Sequence, residues 1–177
     1  MKPSYTRKVE KIFYNTRELK LYSEQSDTPE TPSGTVTIAA AIVDRRKTGV
    51  TSITANDLTG ATRIGDYAFY NCRYLTEVEI PDTVTEIANQ AFYGCAKLTS
   101  LIIPERVGTI GTRALGNTAF KELIFLGTEP PTLSGSGNIY SSATIYVPYG
   151  CGDIYSSATN WGSYYIVELN EDGTKPY

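Results

Sequence analysis

Between residues 50 and 126 the chain changes its hydrophobic rhythm twice within every repeat of a fixed length. Ile64, Ala68, Cys72 and Leu75 follow the three-to-four spacing of a helical turn, whereas Val78 and Ile80 alternate with Glu77 and Glu79 as in a half-buried strand. The segment Thr62 to Thr83 recurs as Thr85 to Arg106 with no gap, each position answered 23 residues on: Ile64 by Ile87, Ala68 by Ala91, Phe69 by Phe92, Tyr70 by Tyr93, Cys72 by Cys95, Leu75 by Leu98, Ile80 by Ile103 and Pro81 by Pro104. A third copy keeps Ile110, Ala114 and Leu115 in phase, then loses one residue, so that Phe120 answers Leu98 and Leu123 answers Leu101. One turn of helix or 3₁₀ plus one short strand cannot bury an apolar face alone; stacked copies share one core, and their strands form a parallel ladder. The pattern predicts an α/β solenoid with one parallel strand per coil, capped at both ends.

The flanks read differently. Ile38 to Val43, entered from Thr35 or Thr37 and stopped by Gly49, predicts a short amphipathic capping helix within residues 35–49. On the C-terminal side, residues 127–177 predict a repeat-like cap, with strands near Leu123 to Phe125, Ile145 to Val147 and Ile166 to Leu169 and an irregular part carrying Trp161, Tyr164 and Tyr165. Glu129 to Pro131 and Ser134 to Gly137 are loops by composition. Residues 23–34 contain no apolar side chain, but Glu24, Asp27, Glu30, two prolines and several Ser/Thr, the composition of a flexible acidic linker. It separates the solenoid from residues 1–22, where six Lys/Arg stand against two Glu and Val9, Ile12 and Phe13 share a helical spacing.

The run IGDYAFYNCRYLTEVEIP closely resembles the unit of the BspA-like leucine-rich repeat family, approximately I-G-x-x-A-F-x-x-C-x-x-L-T-x-V-x-I-P over 23 residues. The resemblance covers residues 50–126, and Thr144 to Leu169 is similar to the tail that closes such arrays. It implies a short leucine-rich repeat array without catalytic residues. It also implies a bacterial surface or host-contact role, or a place in a phage particle.

Composition narrows the chemistry. The 177 residues suit one domain with an appendage, and zero histidines remove Ser-His-Asp, Cys-His and His-ligated metal sites. A net charge of −3 and a pI near 5.1 leave no footprint for nucleic acid. No apolar run approaches the roughly 20 residues a bilayer needs, so no membrane span is expected, and residues 1–22 lack the apolar region of a secretory signal. Cys72, Cys95 and Cys151 form no C-x-x-C pair; Cys72 and Cys95 share a phase in adjacent coils, as a buried thiol ladder or, less simply, a disulfide. Cys151 is expected in a turn as an inert, partly exposed thiol. Glu77 and Glu79 share a strand face, which admits a paired-carboxylate reading but is more simply a solvated strand. Asn170 to Gly173 is a turn, far short of a calcium loop. The expectation is no catalytic residue, no metal and no cofactor.

Two surfaces remain. If Val78/Ile80, Leu101/Ile103, Leu123/Phe125 and Ile145/Val147 point inward, then stacking aligns Glu79, Ile102, Ile124 and Tyr146 in one outward row, a candidate ligand-binding face unless the C-terminal segment folds across it. Fourteen tyrosines add contact surface. The second surface is the N-terminal segment, where Val9, Ile12, Phe13 and Tyr14 with Arg7, Lys8 and Lys11 predict a docking peptide that orders on a protein partner, the alternative being a terminus folded back on its own domain. The function expected is a non-enzymatic binding or structural module: a tethered solenoid contacting protein or glycan from a larger, homo-oligomeric assembly such as a virion appendage. The alternative is a bacterial cell-surface adhesion protein whose signal peptide has been lost.

Overall fold

The computed structural model describes residues 36–38, 50–135, 137–139 and 142–176. In chain order the elements are β1 (Val36–Ile38), β2 (Ser52–Ile53), β3 (Ala61–Ile64), β4 (Glu77–Val78), β5 (Glu86–Ile87), β6 (Ser100–Ile103), β7 (Thr109–Ile110), β8 (Glu122–Phe125), β9 (Thr132–Leu133), β10 (Thr144–Val147), α1 (Gly152–Ser157) and β11 (Tyr165–Glu168). Among the described residues all strand pairs are parallel. They form two walls of a solenoid: a five-stranded sheet in the order β1-β3-β5-β7-β9, and a four-stranded sheet β6-β8-β10-β11 continued on its N-terminal side by the β2-β4 pair, with β4 against β6. The expected ladder is the second wall. Each repeat adds a second short strand, because the stretch ending in Ile64, Ile87, Ile110 or Leu133 also lies extended on its neighbour.

The repeat length is written into the register. Arg63 pairs with Glu86 and Glu86 with Thr109, so the first wall steps by 23 residues from β3 to β9, whereas Ser100 pairs with Glu122 and Glu122 with Thr144, a step of 22 from β6 to β10. The residue lost in the third copy is absorbed in the connection before β8, leaving the β6–β8 and β7–β9 pairings in register.

The segment between the walls has the spacing of a helix without being one. The N–H groups of Tyr67, Phe69 and Asn71 donate to the carbonyls of Asn89, Ala91 and Tyr93 in the next coil, at 3.0, 2.7 and 2.7 Å. Those of Ala68, Tyr70 and Cys72 instead donate three residues back within their own coil, at 3.2, 3.1 and 3.1 Å. Alternate donors therefore hold adjacent coils together and tighten turns. The turns are closed by left-handed residues four apart, Tyr67 and Asn71, Gln90 and Gly94, Arg113 and Asn117, with φ between 50° and 77°.

The core is a set of ladders in repeat phase: Ile64, Ile87 and Ile110; Phe69, Phe92 and Leu115; Leu75 and Leu98; Leu101, Leu123 and Ile145, all 2 % exposed or less. Phe69 and Phe92 stack with centroids 5.1 Å apart. At the end of the alanine ladder (Ala68, Ala91, Ala114) stands the buried Asn138, whose Nδ2 donates to the carbonyls of Ile110, Gly111 and Ser134 at 3.0, 3.0 and 2.9 Å. It adds a buried side-chain donor to three carbonyls that also accept from Ser134 N, Ala114 N and Thr112 Oγ1.

The C-terminal cap is aromatic. Trp161 meets Phe125 and Tyr155 edge to face, both at 5.1 Å, and touches Tyr164 at 6.0 Å. Its Nε1 donates to Pro131 O at 2.9 Å, and the Tyr155 hydroxyl donates to Gly127 O at 2.8 Å, so both polar tips are satisfied in the core. Helix α1 was not anticipated, and its N-terminal neighbour Cys151 is buried rather than partly exposed, because the helix turns that thiol inward. Tyr165, expected in the cap, stands outward on β11 at 68 % exposure. Between the two expected loops lies the short strand β9. At the other end, Val36–Ile38 is a strand paired with β3 where a helix entry was expected; residues 39–49, the rest of that helix, and residues 1–35 lie outside the described residues.

Candidate binding face

Parallel pairing decides which side chains share a surface. Along β6, β8, β10 and β11 the register sets Ile102 beside Ile124, Ile124 beside Tyr146 and Tyr146 beside Val167, while Ser100, Glu122, Thr144 and Tyr165 form the neighbouring outward row. Alternation along each strand sends Leu101/Ile103, Leu123/Phe125 and Ile145/Val147 into the core, as the pattern predicts. Ile102 is 51 % exposed, and Ile124, Tyr146 and Val167 are half-buried by their neighbours in the row. The two outward rows, continued to Glu77 and Glu79, hold three carboxylates and no Lys or Arg.

Among the described residues, Lys175 brings a cation to this face from a distance. After β11, residues 170–174 form a compact turn: Asn170 N donates to Thr174 O and Gly173 N to Asn170 O, both at 2.8 Å, while Thr174 donates through N and Oγ1 to Asp172 Oδ1 at 2.9 and 2.6 Å. These two donors hold the Asp172 carboxyl below its usual range. The turn brings Lys175 back over the sheet, where Nζ lies 2.5 Å from Glu122 Oε2 and 5.1 Å from the centroid of the Tyr146 ring. The C-terminal segment thus covers the Tyr146 end of the row and leaves Ile102 open.

The other predicted positions fall as follows. Glu79 shares the outward side, but its Oε2 accepts the Ala55 N–H at 3.0 Å, so it fastens the loop of the preceding coil. Glu77 is exposed next to it on β4. Cys95 is buried, its Sγ 3.1 Å from Phe69 O, and burial pushes that thiol far above its ordinary range; Cys72 is half-buried, and no disulfide joins the three cysteines. Tyr70 and Tyr93 stack on each other at 5.4 Å on the turn side, away from the sheet. Among the described residues no group of three or more Cys, Asp or Glu is gathered as a metal site, and no helix is long and apolar enough to cross a membrane. Arg7, Lys8, Val9, Lys11, Ile12, Phe13 and Tyr14 lie outside the described residues. Two members of the face escaped sequence reasoning. Val167 enters by a step of 21 residues rather than 22 or 23, and Lys175 meets Glu122 across 53 residues, a separation no local pattern reports.

Comparison with known proteins bears on this architecture directly. The model of the BspA type leucine-rich repeat region (6 copies) matches residues 46–157, more than half of the chain. The chain belongs to this family. The BspA-type match reaches beyond the three copies read from the sequence, through β9, β10 and α1. A leucine-rich repeat protein from Bacteroides ovatus ATCC 8483 has a similar crystal structure, at 28% identity and a TM-score of 0.54 over 68% of this chain and 34% of that one. The pneumococcal vaccine antigen PcpA is similar at 24% identity and a TM-score of 0.47, over 63% of this chain and 34% of that one. The chain therefore spans about a third of the length of these solved structures. Comparison with curated proteins gives no significant match.

Proposed function

We infer that this BspA-type solenoid is a non-enzymatic binding module that presents the outer face of β6, β8, β10 and β11 to a protein partner. The observation that carries the reading is the row Ile102, Ile124, Tyr146 and Val167: an apolar stripe open at Ile102, flanked by polar side chains and held on a hydrogen-bonded parallel sheet that does not need those side chains for its core. Membership of a repeat family whose scaffold lends its surface to recognition supports it. The finer reading is a tethered display: residues 1–22 dock through Arg7, Lys8, Val9, Lys11, Ile12, Phe13 and Tyr14 onto another chain of a larger extracellular assembly, and the acidic linker lets the solenoid stand off. A linker of that length has a root-mean-square reach of roughly 20 Å.

A photo-crosslinking amino acid placed at Ser100, beside Ile102, is expected to trap a protein partner in the producing cell, and the same group at Thr132 on the other sheet is not. The adduct should vanish when Ile102→Asp is added, with the thermal midpoint unchanged. Equal adducts from both sheets, or indifference to Ile102→Asp, would remove the face from the reading. Deletion of residues 1–22 should abolish incorporation into the assembly without altering the melt; normal incorporation would remove the tether.

A further inference from the structure

The strongest clue to what this face accepts is the chain's own side chain lying on it. Lys175 is brought back by the 170–174 turn and sits with its ammonium between the Glu122 carboxylate and the Tyr146 ring. Carboxylate and aromatic ring together make a cation seat, since both stabilise a positive charge held between them. The contact is peripheral: the Lys175 and Glu122 side chains keep 40 % and 36 % of their surface in solvent, and an ion pair that exposed is weak and opens readily. Beside the seat runs the uncovered apolar part of the row, Ile124 and then Ile102. The outward rows carry Glu77, Glu79 and Glu122 and no Lys or Arg of their own, and among the described residues Lys175 is the cation paired with Glu122.

We propose that the partner seated on this face is a protein segment carrying a lysine or arginine next to branched or aromatic apolar side chains, and that Lys175 is a built-in placeholder which that basic residue displaces from Glu122 and Tyr146. The inference rests on the face-binding reading above and adds the chemistry of the partner. The incoming cation takes the seat, its apolar neighbours cover Ile124 and Ile102, and the C-terminal turn swings clear with its internal hydrogen bonds intact. The placeholder makes the surface self-satisfied when empty and sets a threshold: a segment with apolar residues alone does not release Lys175, and one with charge alone gains nothing from the isoleucines.

The test uses the full chain and a fluorescently labelled peptide with the sequence of residues 7–14, which combines three basic residues with Val9, Ile12, Phe13 and Tyr14. The peptide should bind, Lys175→Ala should tighten binding by about threefold because a competitor is gone, and Glu122→Gln and Ile102→Asp should each weaken it by about tenfold. Lys97→Ala is the control. It removes the same charge from a lysine seated over Tyr74, at 5.1 Å, on the turn side of the coil, and should leave affinity unchanged. Circular dichroism melts confirm that each variant is folded. Equal tightening by Lys175→Ala and Lys97→Ala would mean general charge attraction and overturn the proposal, as would absence of binding to both the wild type and Lys175→Ala. Loss of the Ser100 crosslink in Ile102→Asp together with no effect of Lys175→Ala would leave the face as a binding surface and remove only the basic-segment assignment.

Discussion

At the scale of single residues, burial and phase decide everything about the core. Leu101 is 2 % exposed and stacks with Leu123 in the next coil, while Ile102, one position on, is 51 % exposed. The same substitution therefore has opposite consequences at neighbouring positions. Leu101→Asp places an unpaired charge between two coils, which costs several kcal/mol, and the expected outcome is loss of the cooperative thermal transition. Ile102→Asp meets water and should melt with the wild type. A Leu101→Asp variant that kept the wild-type midpoint would refute the register. The polar residues obey the same phase: Asp66 Oδ1 accepts from Asn89 Nδ2 at 2.8 Å, and Asn89 Oδ1 in turn accepts the Thr112 N–H at 2.9 Å, so one corner position binds its counterpart coil after coil.

At the scale of the element, the coil is shaped by close backbone approach. Gly111 follows β7 with its α-carbon turned toward the preceding coil, and a β-carbon there would lie 2.6 Å from Asn89 N and 2.7 Å from Ala88 C. Neither backbone atom can yield without shifting the hydrogen bond from Gly111 N to Ile87 O, 2.8 Å long. Gly111→Ala is expected to lower stability by roughly 1–3 kcal/mol, measured by denaturant titration with an unchanged m-value, as for overpacking elsewhere. Gly108, whose β-carbon would meet its nearest neighbour only at 4.0 Å, should accept alanine with little change and serves as the reference. The turn segment shows why spacing alone misleads here. Apolar residues three to four apart mark one face of a helix and equally one face of a train of turns, and only the forward donation of alternate N–H groups to the next coil separates the two.

At the scale of the molecule, stability depends on closing the open end of the stack. Phe125, Tyr155 and Trp161 do this, and Trp161 also anchors the cap through Pro131 O. Trp161→Ala should cost about 3–5 kcal/mol by removing a fully buried ring and orphaning a carbonyl, read as a drop in the thermal midpoint. Trp161→Phe, which keeps an aromatic filler without the donor, should lose less. If Trp161→Ala left the midpoint unchanged, the cap would contribute nothing to the array.

Much of this protein is legible in one dimension because a repeat confronts each residue with its own counterpart. The 23-residue period, the inward positions of the second wall, the single-residue loss in the third copy and the outward Ile102, Ile124 and Tyr146 all follow from periodicity, since parallel stacking converts sequence phase directly into spatial adjacency. Features that break the period belong to the tertiary structure. Hydrogen bonding between coils turned an apparent helical turn into a bonded ladder and drew a second strand from each repeat. The choice of Asn138 as a polar end to an alanine ladder depends on three carbonyls, those of Ile110, Gly111 and Ser134, converging at the end of the last coil. Helix α1 and the inward Cys151 depend on how the cap folds over Phe125. The seat of Lys175 depends on a return of the chain across the sheet, where charge and distance in space, with no period in sequence, bring Glu122, Tyr146 and a distant lysine together.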